Sequence, residues 1–469
     1  MLPLSLASVH SDDRVNADAV RTALRRAVKQ AMQSMNGITQ VRSVSVDVPT
    51  HLNPLAWGAI QPHAPFVYWR SRSTSTTYAA VGAAHAWGGP RSQRNATLPR
   101  ATVRDLETWL ELLPPDVRIW GGARFDPTAH REDAWNNFGP WNLVLPRFTL
   151  HREGDTTRLF ATLVAPHDTH HPNAVLNQVD ALQFASDGPT VPFTTRTDRT
   201  DRPSRTAWMK QVRAAVSAIA DDRLRKVVLA RAVDLTFDTA LSPWALLQRL
   251  QEETPRCTAF GWQPNRSGPA FIGATPERLF QMEGSTLRTE AIAGTRPRGA
   301  TPEEDAALRH DLLNSAKDRR EHAFVQDALA NALTPLADAV HVPDTPEELQ
   351  LERKRHLRSE ITATLCSSTT PLDVLNALHP TPAVGGTPTK KARAFIREYE
   401  SFDRGWYAGP VGWMSHDAAE VLVAIRSALV NDNTLTLYSG AGIVEGSDPT
   451  SEWDEIENKL ADFKAALER

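Results

Sequence analysis

Near the end of the chain three strand-like runs follow one another, Gly405–Met414, Glu420–Val430 and Thr434–Ser439, with only turns between them. Strands joined by turns are antiparallel neighbours, whereas a parallel pair needs a crossover of a dozen or more residues. Upstream, the β-branched run Lys226–Phe237 and shorter runs at Cys257–Trp262, Ala270–Ala274 and Leu287–Ala293 are mixed with helices without strict alternation. That mixture favours an α+β fold built on large antiparallel sheets.

Helical periodicity marks Val20–Met35, Ala101–Leu113, Ala207–Ala220, Leu372–Leu378 and Lys390–Tyr399. Thr301-Pro302-Glu303-Glu304 is a capping box with proline at the first helical position, opening a long helical region to about Leu333. A last helix is expected from Asp448 onward, with Trp453, Ile456, Leu460, Phe463 and Leu467 as its apolar stripe. The first residues form a polar lead-in, and the stretch from Trp57 to Trp141 holds seven of the thirteen tryptophans. Residues 186–205 carry almost no apolar periodicity and read as an exposed connection. The chain therefore divides into an N-terminal part, 1–205, and a region 206–469 in which the patterns sharpen.

With 469 residues, 41% hydrophobic and 23% charged, the composition excludes disordered and fibrous classes. The net charge of −3 disfavours a protein that coats nucleic acid or an anionic membrane. Two cysteines, Cys257 and Cys366, make no disulfide framework and suit a reducing cytosol. No basic n-region opens the chain, and no run of 18 apolar residues occurs, so neither a signal peptide nor a membrane span is expected. A cytoplasmic enzyme is the expectation.

Several local patterns invite chemistry. His167-Asp-Thr-His-His171 has histidines at helical spacing, but Pro166 and Pro172 bracket it, and a solvated loop is the better reading. The glycines of Tyr438–Gly446 are spaced one residue too long for a dinucleotide loop, although they allow a ligand close to backbone N–H groups. Glu452, Glu455 and Lys459 share one helical face, and Asp318 and Glu321 repeat the i, i+3 acidic pair on an earlier helix. Two such pairs could converge on a hard cation such as Mg²⁺, but spacing alone favours a solvated salt-bridged face. Lys226 at the start of a strand and Glu277 in a turn are unremarkable when each is taken alone.

Their order along the chain carries more. Lys226-Val-Val-Leu-Ala-Arg231 is followed by Phe271-Ile-Gly-Ala-Thr-Pro-Glu-Arg278 and Thr289-Glu-Ala-Ile-Ala-Gly-Thr-Arg296. Next come Lys317-Asp-Arg-Arg-Glu-His322, His356-Leu357 and His379-Pro-Thr-Pro-Ala-Val-Gly-Gly386. Phe402-Asp-Arg-Gly-Trp-Tyr-Ala-Gly409, Ala424-Ile-Arg426, Ser439-Gly-Ala-Gly-Ile-Val444 and Ser451-Glu-Trp-Asp-Glu455 close the set. The ensemble, spanning about 206 to 467, resembles the chorismate-utilising enzymes, and within them the isochorismate synthases. The N-terminal part resembles them more loosely, in Phe66–Trp69, Gly121–Asp126 and Leu145–Phe148.

The resemblance implies a single α+β body, two large antiparallel β-sheets enclosed by helices, with the N-terminal part completing the sheets and the site buried among C-terminal elements. It implies Lys226 as general base and Glu277 as general acid, with water attacking C2 of chorismate as the C4 hydroxyl leaves. Both roles need the less common protonation state, which burial favours. It further implies Mg²⁺ held by Glu321 and Glu455, with Asp318 and Glu452 behind them acting through water. Arg426 and Tyr407 would take the enolpyruvyl carboxylate, and Lys459, His356 and Thr295, with the backbone N–H groups of Gly294, Ala441 and Gly442, would complete the substrate contacts. Lysine at 226 speaks against anthranilate synthase component I, which typically has glutamine there. Ala293 speaks against an amine-tethered intermediate. Salicylate synthase, which adds pyruvate elimination, and a non-catalytic chorismate-binding subunit stand as alternatives. Monomer is the family expectation, and menaquinone and siderophore synthesis are both open as destinations of the product.

Overall fold

The computed structural model describes residues 16–35, 38–88, 100–129, 132–184 and 194–468. The polar lead-in expected before the first helix lies mostly outside them, as do 186–193 of the expected connection. The N-terminal strands are β1 (Gln40–Asp47), β2 (Phe66–Arg70), β3 (Thr76–Gly88), β4 (Ile119–Ala123), β5 (Trp141–Glu153), β6 (Thr156–Ala165) and β7 (Arg196–Arg202). Then follow β8 (Lys226–Phe237), β9 (Thr258–Gln263), β10 (Ala270–Thr275), β11 (Arg278–Glu283), β12 (Thr286–Pro297), β13 (Ala337–His341), β14 (Glu347–Gln350) and β15 (Lys354–Leu365). The last are β16 (Gly386–Thr387), β17 (Pro410–Met414), β18 (Ala418–Val423), β19 (Ser427–Asn431) and β20 (Thr434–Ile443).

Every pairing among these strands is antiparallel, and two sheets part from one long strand. The Phe148–Glu153 half of β5 pairs with β6, while its Trp141–Val144 half pairs with β4. From β5 one sheet runs through β3, β2, β9, β10, β19 and β20 to β8. The other runs through β4, β17, β18, β11 and β12 to β15. The N-terminal strands thus pair directly with C-terminal ones, β2 with β9 and β4 with β17. The α+β expectation of two antiparallel sheets with flanking helices holds. Among the described residues no helix is long and apolar enough to cross a membrane.

The local rules are visible in single elements. In the Ala17–Gln33 helix, Asn16 caps the start by accepting from the Ala19 amide. Val20, Leu24, Val28 and Met32 then recur every fourth residue and are buried, forming the stripe that packs on the sheet. β8 is flanked in its sheet by β20 and β7 and buried along Lys226–Val233 on both faces, which is why that stretch is rich in valine, leucine and alanine rather than alternating.

Three expectations change. The long helix after Thr301 is two, Pro302–Asn314 and Ala316–Leu333, because Ser315 leaves helical backbone and caps the second by accepting from the Asp318 amide. The C-terminal helix likewise breaks at Leu460 into Pro449–Lys459 and Ala461–Glu468. The His167 segment is a one-turn helix rather than a loop, held by Asp168, which is buried against Arg147.

Part of the expected connection is also structured: Arg196–Arg202 is the edge strand β7 on β8. Its residues are charged and mostly exposed, so it shows no apolar period, yet the charges are paired. Buried Arg231 on β8 binds Asp201 of β7 and Glu457 of the Pro449–Lys459 helix, and its guanidinium lies 3.2 Å from the centroid of the Trp453 ring. That junction fixes the helix carrying Glu452 and Glu455 to the strand that begins at Lys226. Arg231→Leu should leave Asp201 and Glu457 sharing only the part-exposed Arg199, with Lys464 also at Glu457, and lower stability by about 1–3 kcal/mol, measured as a shift of the urea unfolding curve.

Candidate active site

Lys226 enters β8 under cover of two neighbours. Thr387 of β16 pairs beside it, and β20 runs antiparallel on the other side, with Ile443 opposite Val227. Gly386 adopts a φ of +126°, and a Cβ there would lie 2.3 Å from the Lys226 carbonyl, so glycine is what lets β16 close over the strand. The Lys226 side chain is buried, and its Nζ donates to Glu321 Oε1 at 2.7 Å. Gly442 supplies the space: a Cβ on it would meet Lys226 Cε at 2.9 Å and Glu321 Oε1 at 3.1 Å. The glycine-rich run therefore lets two side chains meet over bare backbone.

Glu277 sits in the turn between β10 and β11. Its amide donates to Thr275 Oγ1, which donates in turn to the Val423 carbonyl, and the Glu277 carbonyl accepts from the Val423 amide. The backbone is clamped while the carboxyl faces a cavity of about 710 Å³ that Lys226 also lines. Burial pushes this carboxyl up to about 7, against the pull of the Lys226 ammonium and with help from the negative charge of Glu290. Glu321 faces the same lysine with the opposite outcome. Burial pushes its carboxyl up too, but the Lys226 ammonium in hydrogen-bond contact outweighs it, and the net shift is downward.

The acidic pairs do converge. Asp318 and Glu321 on the Ala316–Leu333 helix, and Glu452 and Glu455 on the Pro449–Lys459 helix, line the one cavity. Glu321 is bound to Lys226, Asp318 to Arg296 at 2.8 Å, and Glu455 to Lys459 at 2.7 Å. Lys459 also donates to the Gly440 carbonyl. Four carboxylates on one wall are an all-oxygen donor set suited to a hard divalent cation. Among the described residues no three His, Cys, Asp or Glu side chains are drawn together closely enough to enclose a metal as they stand.

Across the cavity, Arg426 adopts a φ of +48° between β18 and β19, its carbonyl accepting from the Ala274 amide. Its guanidinium donates to His356 Nε2 at 3.2 Å. Arginine can only donate, so His356 is neutral with its proton on Nδ1, which faces the Gly294 carbonyl at 3.2 Å and Thr295 Oγ1 at 3.0 Å. Burial and the cations around it hold this imidazole well below its usual range. Gly294, at a φ of +71°, is the bulge that turns its carbonyl towards His356. Tyr407 is stacked on Tyr438, and its hydroxyl lies 3.0 Å from where a Cβ on Gly440 would be.

The expected residues thus meet in one cavity, with two corrections. Ala441 does not line it. On β20 the side chains alternate, so Gly440 and Gly442 face the cavity while Ala441 is buried in the core. Lys226 does not stand unpartnered, because Glu321 holds it in an ion pair. Sequence reading missed Arg296 and Lys354, both cavity-lining cations. Lys354 lies two residues from His356 on the same strand, and that period of two was the available signal; Arg296 follows the bulge at Gly294, where the alternation is broken.

The comparisons with known proteins agree with this geometry. Residues 26–468 match the family described as "Chorismate binding enzyme". The salicylate biosynthesis isochorismate synthase of Pseudomonas aeruginosa is 34% identical, over 96% of this chain and 94% of its own. Isochorismate synthase MenF of Escherichia coli is 31% identical, over 96% and 99% respectively. The solved structure of MenF, the menaquinone-specific isochorismate synthase from Escherichia coli, superposes with a TM-score of 0.80 at 30% identity, covering 95% of this chain and all of that one. Anthranilate synthase component I from Streptococcus pneumoniae shares the fold, with a TM-score of 0.63 at 19% identity over 92% of this chain and 93% of its own.

The raised Glu277 carboxyl is directly measurable. In carbon-13 NMR it should titrate near pH 7, and in Lys226→Met, which removes the ammonium that pulls it down, the midpoint should move higher. A titration in the ordinary glutamate range near 4.3 would mean that water reaches the carboxyl freely.

Proposed function

The chain belongs to the chorismate binding enzyme family, and from that premise we propose that it is an isochorismate synthase, converting chorismate to isochorismate. The observation that carries the reading is the placement of Lys226 and Glu277 on one buried cavity, with the carboxyl of Glu277 held protonated near neutrality.

The reaction moves a hydroxyl group from C4 to C2. Water forms the new C–O bond at C2, the ring double bonds shift, and the C4–O bond breaks. Hydroxide leaves too poorly to depart unprotonated, so an acid must deliver a proton to the C4 oxygen, and a base must take one from the attacking water. Glu277 is the acid: at about 7 roughly half of these carboxyls carry their proton at neutral pH, where an exposed glutamate would have lost it. Lys226 is the base in its neutral form, so before water attacks it must leave the Glu321 ion pair and give up its own proton to solvent. Atoms balance, since one water enters and one leaves. The reverse reaction uses the same two groups with roles exchanged.

Arg426, held by neutral His356, offers a planar fork to the enolpyruvyl carboxylate, and Tyr407 lines the same region. Glu321 and Glu455 are proposed as the residues that would hold Mg²⁺, with Asp318 and Glu452 one helical turn before them as supports. The cation would supply positive charge for the ring carboxylate and compete with Lys226 for Glu321.

Chorismate incubated with the full-length protein and Mg²⁺, without ammonia, should give an isochorismate peak by chromatography that EDTA abolishes. Salicylate and pyruvate instead would assign elimination to the same site. Anthranilate formed only with ammonia would mean that Lys226 has been misread, and no turnover at all would leave a binding subunit. Glu277→Gln should cut kcat by about 10²–10⁴ while substrate still binds. The fall of kcat/KM above pH 7, expected as Glu277 loses its proton, should disappear in that variant. Near-normal turnover would remove Glu277 from the acid role.

A further inference from the structure

Lys354 opens β15 two residues before His356, so both side chains leave the same face of the strand and line the cavity. Arg355 between them points the other way, to Asp305 and Glu348. Lys354 is 7% exposed, and its Nζ has no hydrogen-bond partner among the described residues. A buried ammonium without a partner is costly, and long lysine side chains ordinarily extend to water or to a carboxylate. The neighbouring charges leave it unmatched. Lys459 is bound to Glu455, and Arg353 lies 2.7 Å from Glu253. Asp462 lies 3.6 Å from Arg426 and 3.9 Å from Arg353, so this one acid is already drawn to two guanidiniums and Lys354 is left without a carboxylate of its own.

We infer that Lys354 is a second cation for the carboxylate that Arg426 receives, so that this end of the cavity clasps one substrate carboxylate between a guanidinium and an ammonium. The inference rests on the reading of the cavity as a chorismate site and adds to it a residue that sets affinity. Burial, then repulsion from Arg426, pulls the free ammonium down to about 7, with Lys459 adding to the fall and Asp462 and Glu455 opposing it. An arriving carboxylate is the missing counter-charge. Lys354 is a binding residue here, with no proton to transfer.

Calorimetric titration of chorismate into Glu277→Gln, in Mg²⁺, measures binding without turnover. Adding Lys354→Met to that variant should weaken the affinity about 10–100-fold, the range for loss of a charged hydrogen bond, and Lys354→Arg should restore most of it. Lys354→Met should also melt at the same or a higher temperature, because it removes a buried unpaired charge. Unchanged affinity in Lys354→Met would overturn the inference and leave the site reading standing. Loss of affinity together with a lower melting temperature, not repaired by arginine, would overturn it as a merely structural effect. Failure of Glu277→Gln itself to bind chorismate would overturn the site reading, and this inference with it.

Discussion

The ion pair between Lys226 and Glu321 is the contact on which the cavity depends. It joins the first residue of a buried strand to the middle of the Ala316–Leu333 helix, and it sits on Gly442 of the neighbouring strand. Three elements far apart in sequence are thereby held at one point. A side chain at 442 would separate them. Gly386, which lets β16 lie over the Lys226 carbonyl, closes the same point from outside. A buried pair of this kind adds little net stability against its desolvation, so its value lies in fixing where the two charges stand.

Around that lysine two glutamates are driven apart in character. Glu321 touches the ammonium and stays anionic, whereas Glu277, buried without such contact, holds its proton to about neutrality. One cavity thus contains an acid and an anion of the same residue type, separated by environment alone. The opposite wall repeats the logic with bases. His356 is neutral because burial and nearby cations forbid a further charge, and that neutrality lets its Nε2 accept from Arg426. Lys354 stands beside them with its charge unmatched.

Much of the site was legible as residues in order. The motifs around Lys226, Glu277 and Arg426, and the i, i+3 acidic pairs, were each visible, and the helical period placed Glu452, Glu455 and Lys459 on one face. What misled was polarity inside structure. β7 reads as a connection because its charged side chains show no apolar period, yet Asp201 anchors the buried Arg231. Asp168 reads as part of a solvated loop and is instead a core partner of Arg147. Ala441 was expected to offer its backbone N–H beside that of Gly442, but it is buried in the core and does not line the cavity.

The sequence by itself determined the class of fold, because turn-linked strands must pair antiparallel. It also determined which residue types are available for acid, base and cation binding, because those follow from composition at fixed motif positions. Only the tertiary structure decided that Lys226 is paired rather than free, that Glu277 and Glu321 differ, and that Lys354 belongs to the cavity. Each of those depends on the dielectric surroundings of a charge and on which opposite charge lies within hydrogen-bond reach. Both are properties of residues distant along the chain, brought together by strand pairing and helix packing that no local pattern encodes.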